Sequence, residues 1–185
     1  IGVPQSVLLM PGFISGVIYQ RLVPILCPKC AIPAATAYEQ GRMRPATWER
    51  VMRVTDLEKH TVLCRGPGCE HCKGIGIVGR TPCAELLVPT PEFLALMAAG
   101  DEEGARRLWL SNERLSFGGL GVTAVAHAIT KMQRGEVDPV DIESQIGPIV
   151  TRHAEQPHYP ADVIPIARDR DTRDFRSDLP PALRG

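Results

Sequence analysis

The sequence predicts a mixed α+β chain in which two strands flank a cysteine-rich insert and a series of helices follows. Two Cys-x-x-Cys pairs, Cys27/Cys30 and Cys69/Cys72, are separated by 38 residues (31–68). A run rich in β-branched and aromatic residues, 17–23, precedes the first pair, and a second predicted strand, 79–88, follows the other pair. Amphipathic patterns with helix-capping residues then fill 91–150.

The cysteine spacing predicts a closed metal site. In Cys27-Pro-Lys-Cys30 and Cys69-Glu-His-Cys72 both thiolates of a tight turn can face one ion, and two such turns complete a tetrahedral shell for Zn²⁺. A complete Cys₄ shell leaves no position for a reacting water, so we expect the zinc to be structural rather than catalytic. Glycines around the second pair suit tight turns, because glycine accepts a positive φ.

Other donors leave alternatives open at this site. Cys64 lies five residues before Cys69 and could replace a ligand, although it has no partner at two-residue spacing. His60 is the competing histidine, whereas His71 lies between two ligands and is expected to point outward. Cys83, in an apolar stretch, is expected to be a small buried hydrophobe. Disulfides would need an oxidising compartment, and no signal peptide is visible in the sequence.

Composition argues against several function classes. The formal net charge is zero, so there is no global field to attract nucleic acid, and only 5% of residues are aromatic, which argues against base stacking. No apolar run approaches the length of a membrane span. Residues 27–80 differ, with nine Lys/Arg against five Asp/Glu, which favours a solvated basic surface and leaves a nucleic-acid-binding zinc ribbon as the alternative.

The first half of the chain contains four predicted elements. Residues 3–15 indicate a short helix running into a turn, and 17–23 a β-strand whose length Pro24 should limit. Within the insert, 46–59 can be helical, and 79–88 indicates a second strand. The apolar side of the helix in the insert is expected to carry Trp48, Val51, Met52 and, less regularly, Leu57.

The second half is punctuated by helix signals. Thr90 is a candidate N-cap before Pro91, and Gly100 ends that helix. Further helices are expected over 101–110 and over 123–134, and Asp138-Pro139 is expected to cap and start a last short helix through Gln145. The stretch Gly118-Gly119-Leu120-Gly121 is expected to be a turn, and 151–185, where prolines alternate with Arg-Asp pairs, an extended or disordered tail.

Catalytic machinery is missing from the sequence. It contains no Gly-x-x-x-x-Gly-Lys-Ser/Thr loop to cradle a phosphate, and its Glu and His residues do not have metalloprotease spacing. We therefore predict no catalytic or nucleotide-binding residue in this chain, and we expect the chain alone not to hydrolyse ATP.

The motifs occur in a distinctive order. They are Gln20-Arg21-Leu22, Cys27-Pro-Lys-Cys30, Gly68-Cys69-Glu-His-Cys72, Gly79-Arg80, Glu85-Leu86-Leu87 and Lys131-Met-Gln-Arg-Gly135-Glu-Val-Asp-Pro. This order resembles the C-terminal part of the type II secretion and type IV pilus assembly ATPases, the secretion traffic ATPases. The resemblance covers roughly residues 1–150.

The resemblance implies an α+β fragment of a longer protein that starts late in its motor domain. Residues 1–26 would be the end of a RecA-like α/β ATPase core, 27–78 the inserted Cys₄ zinc module and 79–90 the returning core strand. Residues 91–150 would be the C-terminal helical subdomain. The tail 151–185 is not a recognised feature of the family.

The resemblance also implies a function. The family forms ring-shaped homo-hexamers on the cytoplasmic face of the inner membrane, and ATP-driven motion passes to an inner-membrane platform protein that assembles or exports pilin-like subunits. ATP and Mg²⁺ would be cofactors of the parent protein only, and nucleic acid is not an expected partner. Pro24, Pro82-Cys83 and the tail depart from the family pattern, so pilus, secretion and conjugative systems all stay open.

A chaperone remains a rival interpretation of one motif. Cys69-x-x-Cys72-x-Gly74-x-Gly76 also matches one repeat of the zinc domain of Hsp40-type chaperones, but that domain needs several copies and this chain has one.

The resemblance and the strand pattern together give an insertion hypothesis. Strands 16–26 and 79–88 should be neighbours in one sheet, with the metal making the loop between them a rigid projection. Its basic face could dock a partner or the anionic membrane surface, or the element could be purely structural. The arginines proposed for that face are Arg42, Arg44, Arg50 and Arg53.

Overall fold

A computed structural model of the chain describes residues 2–111 and 121–149. The expected tail 151–185 and most of the turn at 118–121 lie outside the described residues. The strands are β1 Val17–Leu26, β2 Ile32–Pro33, β3 Leu63–Cys64 and β4 Ile77–Leu87. The helices are α1 Gln5–Leu8, α2 Ala34–Glu39, α3 Pro45–Val54, α4 Pro91–Ala98, α5 Glu102–Ser111, α6 Ala124–Gln133 and α7 Pro139–Gln145.

Strands β1 and β4 pair antiparallel, which confirms that the flanks of the insert are neighbours. The register runs from Val17 opposite Leu87 to Ile25 opposite Gly79, and then shifts by one residue at Leu26. The insert therefore leaves and re-enters the sheet at the same end of one long hairpin.

The prediction that Pro24 limits the first strand is wrong, because β1 continues through it to Leu26. Pro24 lies opposite Arg80 in a sheet that has two strands in the described part of the chain. One edge of β1 has no partner strand there, and an unpaired edge tolerates a residue without an N–H group. Beyond the proline, the Leu26 N–H donates to the Glu136 carbonyl at 2.9 Å, which fixes the end of the strand.

The body of the insert folds around a second small sheet and helices α2 and α3. Strands β2 and β3 pair antiparallel, with Ile32 opposite Cys64. Helix α3 ends at Val54, earlier than predicted, because Thr55 adopts extended backbone with φ −142°. Val51 is fully buried as expected, but Met52 is 47% exposed, so its predicted place on the apolar side is wrong. Leu57 packs against the core from beyond the helix end.

The predicted caps Thr90 and Asp138 are confirmed, because each accepts a backbone hydrogen bond, and Thr123, predicted as the first residue of its helix, is an N-cap as well. Helices α4, α6 and α7 begin within a residue of the predicted positions. The cap bonds are Phe93 N–H to Thr90 Oγ1 at 3.2 Å, Ala126 N–H to Thr123 Oγ1 at 3.2 Å, and Val140 N–H to Asp138 Oδ1 at 2.8 Å.

One hydrophobic core joins the insert to the helices that follow the hairpin. Val51 and Val62 from the insert share it with Met132 of α6 and Ile142 of α7. The body of the insert is thus packed against the rest of the chain, which differs from the projection that the sequence led us to expect. Within residues 2–111 and 121–149, no helix has the length and apolar character needed to cross a membrane.

Candidate metal centre

The four predicted cysteines come together at the end of the β1–β4 hairpin where the insert leaves and re-enters the sheet. Their sulfur atoms all lie within 4.8 Å of one another. The Sγ–Sγ distance is 3.7 Å for Cys27 and Cys69, and 3.8 Å for Cys30 and Cys72. The Cys69 and Cys72 sulfurs are also 3.8 Å apart.

These separations fit one tetrahedral metal ion. A tetrahedron built on a Zn–S bond of about 2.3 Å has edges of about 3.8 Å, whereas a disulfide bond is about 2.05 Å long. The donors are also the soft thiolates that select zinc over hard cations. The residues present therefore fit a closed Zn²⁺ shell.

The first cysteine pair forms a turn directly after β1. The Cys27 N–H donates to the Gly76 carbonyl at 3.0 Å, which ties the first pair to the segment after the second pair. The Ala31 N–H returns to the Cys27 carbonyl at 3.0 Å and closes the turn around Cys30. Cys27 follows β1 directly, is fully buried, and is held in the cluster by these backbone hydrogen bonds.

The second pair lies on a short 3-10 turn, Glu70–Cys72. Lys73 ends it in the left-handed region with φ 54°, a conformation that non-glycine residues rarely adopt. The backbone N–H groups of Cys69 and Gly76 donate to the Cys72 sulfur at 3.2 and 3.1 Å. These two N–H groups, one before the turn and one after it, therefore hold the Cys72 sulfur in position.

The electrostatics of Cys72 and Cys30 differ. Burial raises the pKa of Cys72, but the Cys69 and Gly76 N–H groups stabilise its thiolate and lower that pKa to about 6. Burial and hydrogen bonds with neighbouring cysteines, Cys27 first, raise the pKa of Cys30 to about 12. Since a metal binds the thiolate form, Cys72 is better prepared for the ion than Cys30.

Glycines allow the two turns to touch. A side chain at Gly66 would collide with the Cys30 carbonyl group, and one at Gly68 with the Gly74 backbone. Gly76 has φ 74° and leaves room for the stem of Arg65. The sequence pointed to the glycines around the second pair, but Gly66 was missed, because nothing local in the sequence indicates its close approach to the Cys30 carbonyl.

The competing donors lie outside the cluster. Neither Cys64 nor His60 is part of the four-sulfur group. Burial, with a smaller contribution from the Asp138 carboxylate, raises the pKa of Cys64. Cys83 is fully buried as predicted, and burial raises its pKa to about 11. His71 is exposed, in agreement with its expected outward orientation.

Acidic side chains of α7 neutralise part of the basic surface. Arg50 pairs with Glu143 at 2.6 Å, and Arg65 pairs with Asp141 at 2.8 Å. Asp138 was predicted as a cap and also accepts a 2.6 Å hydrogen bond from the Arg65 N–H. These contacts were missed because nothing local in the sequence marks partners more than 70 residues apart. Three arginines of the proposed docking face remain exposed, namely Arg42, Arg44 and Arg53.

The fold and the site define a class of protein. It is a mixed α+β chain with two cysteine turns at the insert end of an antiparallel hairpin and C-terminal helices packed against the insert. A sequence profile described as "Type II/IV secretion system protein" matches residues 1–138. The chain belongs to this family, the family of the secretion ATPases, as the order of its motifs predicted.

Two curated relatives support the assignment. The chain is 30% identical over 115 residues to "Type II secretion system protein E" of Dickeya dadantii (strain 3937), covering 62% of this chain and 21% of that protein. It is 32% identical over 101 residues to "Putative type II secretion system protein E" of Escherichia coli (strain K12), covering 54% of this chain and 19% of that protein. The chain thus spans about a fifth of the length of these relatives.

Proposed function

We propose that Cys27, Cys30, Cys69 and Cys72 bind one structural Zn²⁺. We further propose that the chain is the zinc-binding and helical part of a hexameric ATPase that powers type II secretion or pilus assembly. The observation that carries the metal assignment is the sulfur geometry: three separations of 3.7 to 3.8 Å match the edge of a tetrahedral shell, and all four sulfurs lie within 4.8 Å of one another. Membership of the secretion family supports the rest.

The chain's own residues give the metal a structural role. When bound, Zn²⁺ neutralises thiolate charge and crosslinks the end of β1 to the 3-10 turn. The Cys69 and Gly76 N–H groups hold the Cys72 sulfur in place, and Gly66 lets the first turn pack on the second. With four thiolates no coordination position is left for substrate, so the site does no chemistry of its own.

The division of the chain follows from this proposal. Residues 1–26 and 79–90 are the edge of a RecA-like core, and their pairing as β1 and β4 supports this. Residues 27–78 are the zinc insert and 91–150 the helical subdomain, with 151–185 as a tail. ATP and Mg²⁺ bind in the longer parent protein, which works on the cytoplasmic side of the inner membrane with a membrane platform protein.

A nucleic-acid-binding zinc ribbon is less well supported. Two of the insert's arginines, Arg50 and Arg65, are already paired with carboxylates of α7. The four thiolates add further negative charge beside the remaining cations. Both features weaken the phosphate attraction that such a module would need.

Metal analysis tests the proposal directly. Protein purified without chelators should carry one zinc per chain, and Cys69→Ser should lose it. Cys83→Ala is the matched control, because Cys83 is buried outside the cluster and should leave the zinc content unchanged. Absence of zinc from the wild-type protein, or its full retention in Cys69→Ser, would show that the metal assignment is wrong.

The proposal that the chain belongs to a hexameric ATPase, the motor assignment, has to be tested on the full-length protein. There, Cys69→Ser should impair ATPase activity or secretion, while Cys83→Ala should not. A full-length protein that forms no hexamer and hydrolyses no ATP would contradict the motor assignment without affecting the metal result.

A further inference from the structure

Arg65 occupies the space between the metal centre and helix α7. It follows β3 directly, and both its backbone and its side chain are engaged by acidic residues of the α7 N-terminus. Its N–H donates to Asp138 Oδ2 at 2.6 Å. Its guanidinium Nη2 lies 3.0 and 2.8 Å from the two carboxylate oxygens of Asp141.

The other side of Arg65 faces the cysteine turns. A β-carbon placed on Gly76 would lie 2.7 Å from Arg65 Cγ and 3.3 Å from Cδ, so the aliphatic stem fills the space that Gly76 leaves open. Gly76 in turn contacts both cysteine pairs. Its N–H donates to the Cys72 sulfur, and its carbonyl accepts from the Cys27 N–H.

A continuous set of contacts therefore runs from α7 through Arg65 and Gly76 to one cysteine of each pair. We infer that Arg65 is a positioning residue that couples metal binding to the docking of α7. The inference rests on the proposed zinc function and deepens it. Displacing the guanidinium from Asp141 frees the stem to move off Gly76, and the N–H group aimed at the Cys72 sulfur then moves with the Gly76 backbone.

Coupling of this kind is reciprocal: if docking of α7 raises the affinity for zinc, then zinc binding must stabilise the docked α7 by the same free energy. Loss of the ion should therefore loosen α7, although α7 begins more than 60 residues after Cys72, the last of the four clustered cysteines. Groups that orient ligands from outside the metal shell commonly change metal affinity by about ten- to a hundredfold. Because Arg65 acts through Gly76, we expect an effect at the low end of that range.

Zinc affinity measured by chelator competition on the whole chain tests the inference. Arg65→Met keeps the aliphatic stem and removes the guanidinium, and Asp141→Asn removes the same ion pair from the other side. Each should weaken zinc binding on the order of tenfold, and the double variant should be no weaker than either one. The control is Lys59→Met, which breaks an exposed pair with Asp56 that touches neither α7 nor Gly76.

Two further readouts separate positioning from a general loss of stability. The absorption spectrum of the Co²⁺-loaded protein should keep its tetrahedral thiolate character in Arg65→Met, because the ligands are unchanged. Zinc removal should reduce hydrogen-exchange protection of α7 in the wild type, and this zinc-dependent difference should shrink in Arg65→Met. Helix α4 serves as the reference, since its cap at Thr90 involves none of these residues.

The outcomes are distinguishable. Wild-type zinc affinity in Arg65→Met, or additive losses in the double variant, would overturn the coupling while leaving the metal site in place. A wild-type protein that takes up neither Zn²⁺ nor Co²⁺ would overturn both the proposed function and this inference.

Discussion

Arg50 and Glu143 form a two-point ion pair across 93 positions of sequence. Arg50 Nε lies 2.6 Å from Glu143 Oε1, and Nη2 lies 2.8 Å from Oε2. The same carboxylate accepts from the Thr47 hydroxyl at 2.6 Å and from the Ile149 N–H at 3.1 Å. One carboxylate thus fastens α3 of the insert to α7 and to the segment that follows it.

Removal of this carboxylate should destabilise the fold. Glu143→Ala leaves Thr47 and Arg50 without their partner, and the Glu143 side chain is only 8% exposed. We expect a loss of about 2 kcal/mol in the free energy of unfolding by urea. The control Asp56→Ala breaks a pair whose side chains are 77% and 44% exposed, and should cost less than about 1 kcal/mol. Equal losses in the two variants would contradict the prediction.

The same residue predicts a pH dependence. Burial raises the pKa of Glu143, but hydrogen bonds from Arg50 and Thr47 outweigh it and hold that pKa below its ordinary value. A depressed pKa gives stability that is present above the unfolded value, about 4.3, and is lost as the pH falls through the folded value. The stability difference between wild type and Glu143→Gln should therefore shrink below pH ~4.3.

Urea unfolding at several pH values, with zinc in excess, measures that difference. We expect acidification to remove zinc from both proteins alike, so the difference should isolate Glu143. A difference that stays constant from neutral to strongly acidic pH would contradict the prediction.

Gly66→Ala should weaken metal binding although Gly66 is not a ligand. Its new methyl group would collide with the Cys30 carbonyl, which is backbone and cannot rotate away. We expect a loss on the order of tenfold in zinc affinity, measured by chelator competition. Gly79→Ala is the control, since its β-carbon would meet only Ile25 Cδ1 at 3.8 Å. Unchanged affinity in Gly66→Ala would mean that the turns are not packed as described.

The arginines of the insert should differ in their tolerance of charge reversal. Arg42, Arg44 and Arg53 are exposed, so reversing all three should leave zinc content unchanged and thermal stability nearly so. Arg50→Glu places a second carboxylate against Glu143 and should lower the melting temperature clearly. If the triple variant of the full-length protein then secretes or piliates normally, a docking role for this basic surface is wrong.

Local signals in the sequence predicted the helices that follow β4 and the clustering of the four cysteines, but not helix α2. The caps at Thr90, Thr123 and Asp138 bond to backbone groups two or three residues away, so the sequence alone contains both partners. The Cys-x-x-Cys spacing is likewise local, and it identified the four cysteines that the structure brings together. That they bind zinc stays a prediction.

The contacts that the sequence could not predict join residues that are far apart in the chain. Arg65 and Asp141 are 76 residues apart, and no periodicity relates them. Gly66 adopts no positive φ, so its importance comes only from a neighbour that folding brings close. Pro24 was expected to end the first strand, but whether a strand tolerates a proline depends on which of its edges is paired, and the sequence does not show that. Met52 is exposed because the buried residues of α3 are Thr47 and Val51, and Met52 lies about 100° further round the helix from Val51.

The core shared by the insert and the C-terminal helices limits how this protein can be re-engineered or recombined. Because β1 and β4 pair side by side where the insert begins, residues 27–78 resemble a cassette that a tight turn could replace. Such a deletion would remove Val51 and Val62 from the core that they share with Met132 and Ile142, and would expose apolar surface on α6 and α7. A chain without this element would therefore need other side chains to cover those two helices.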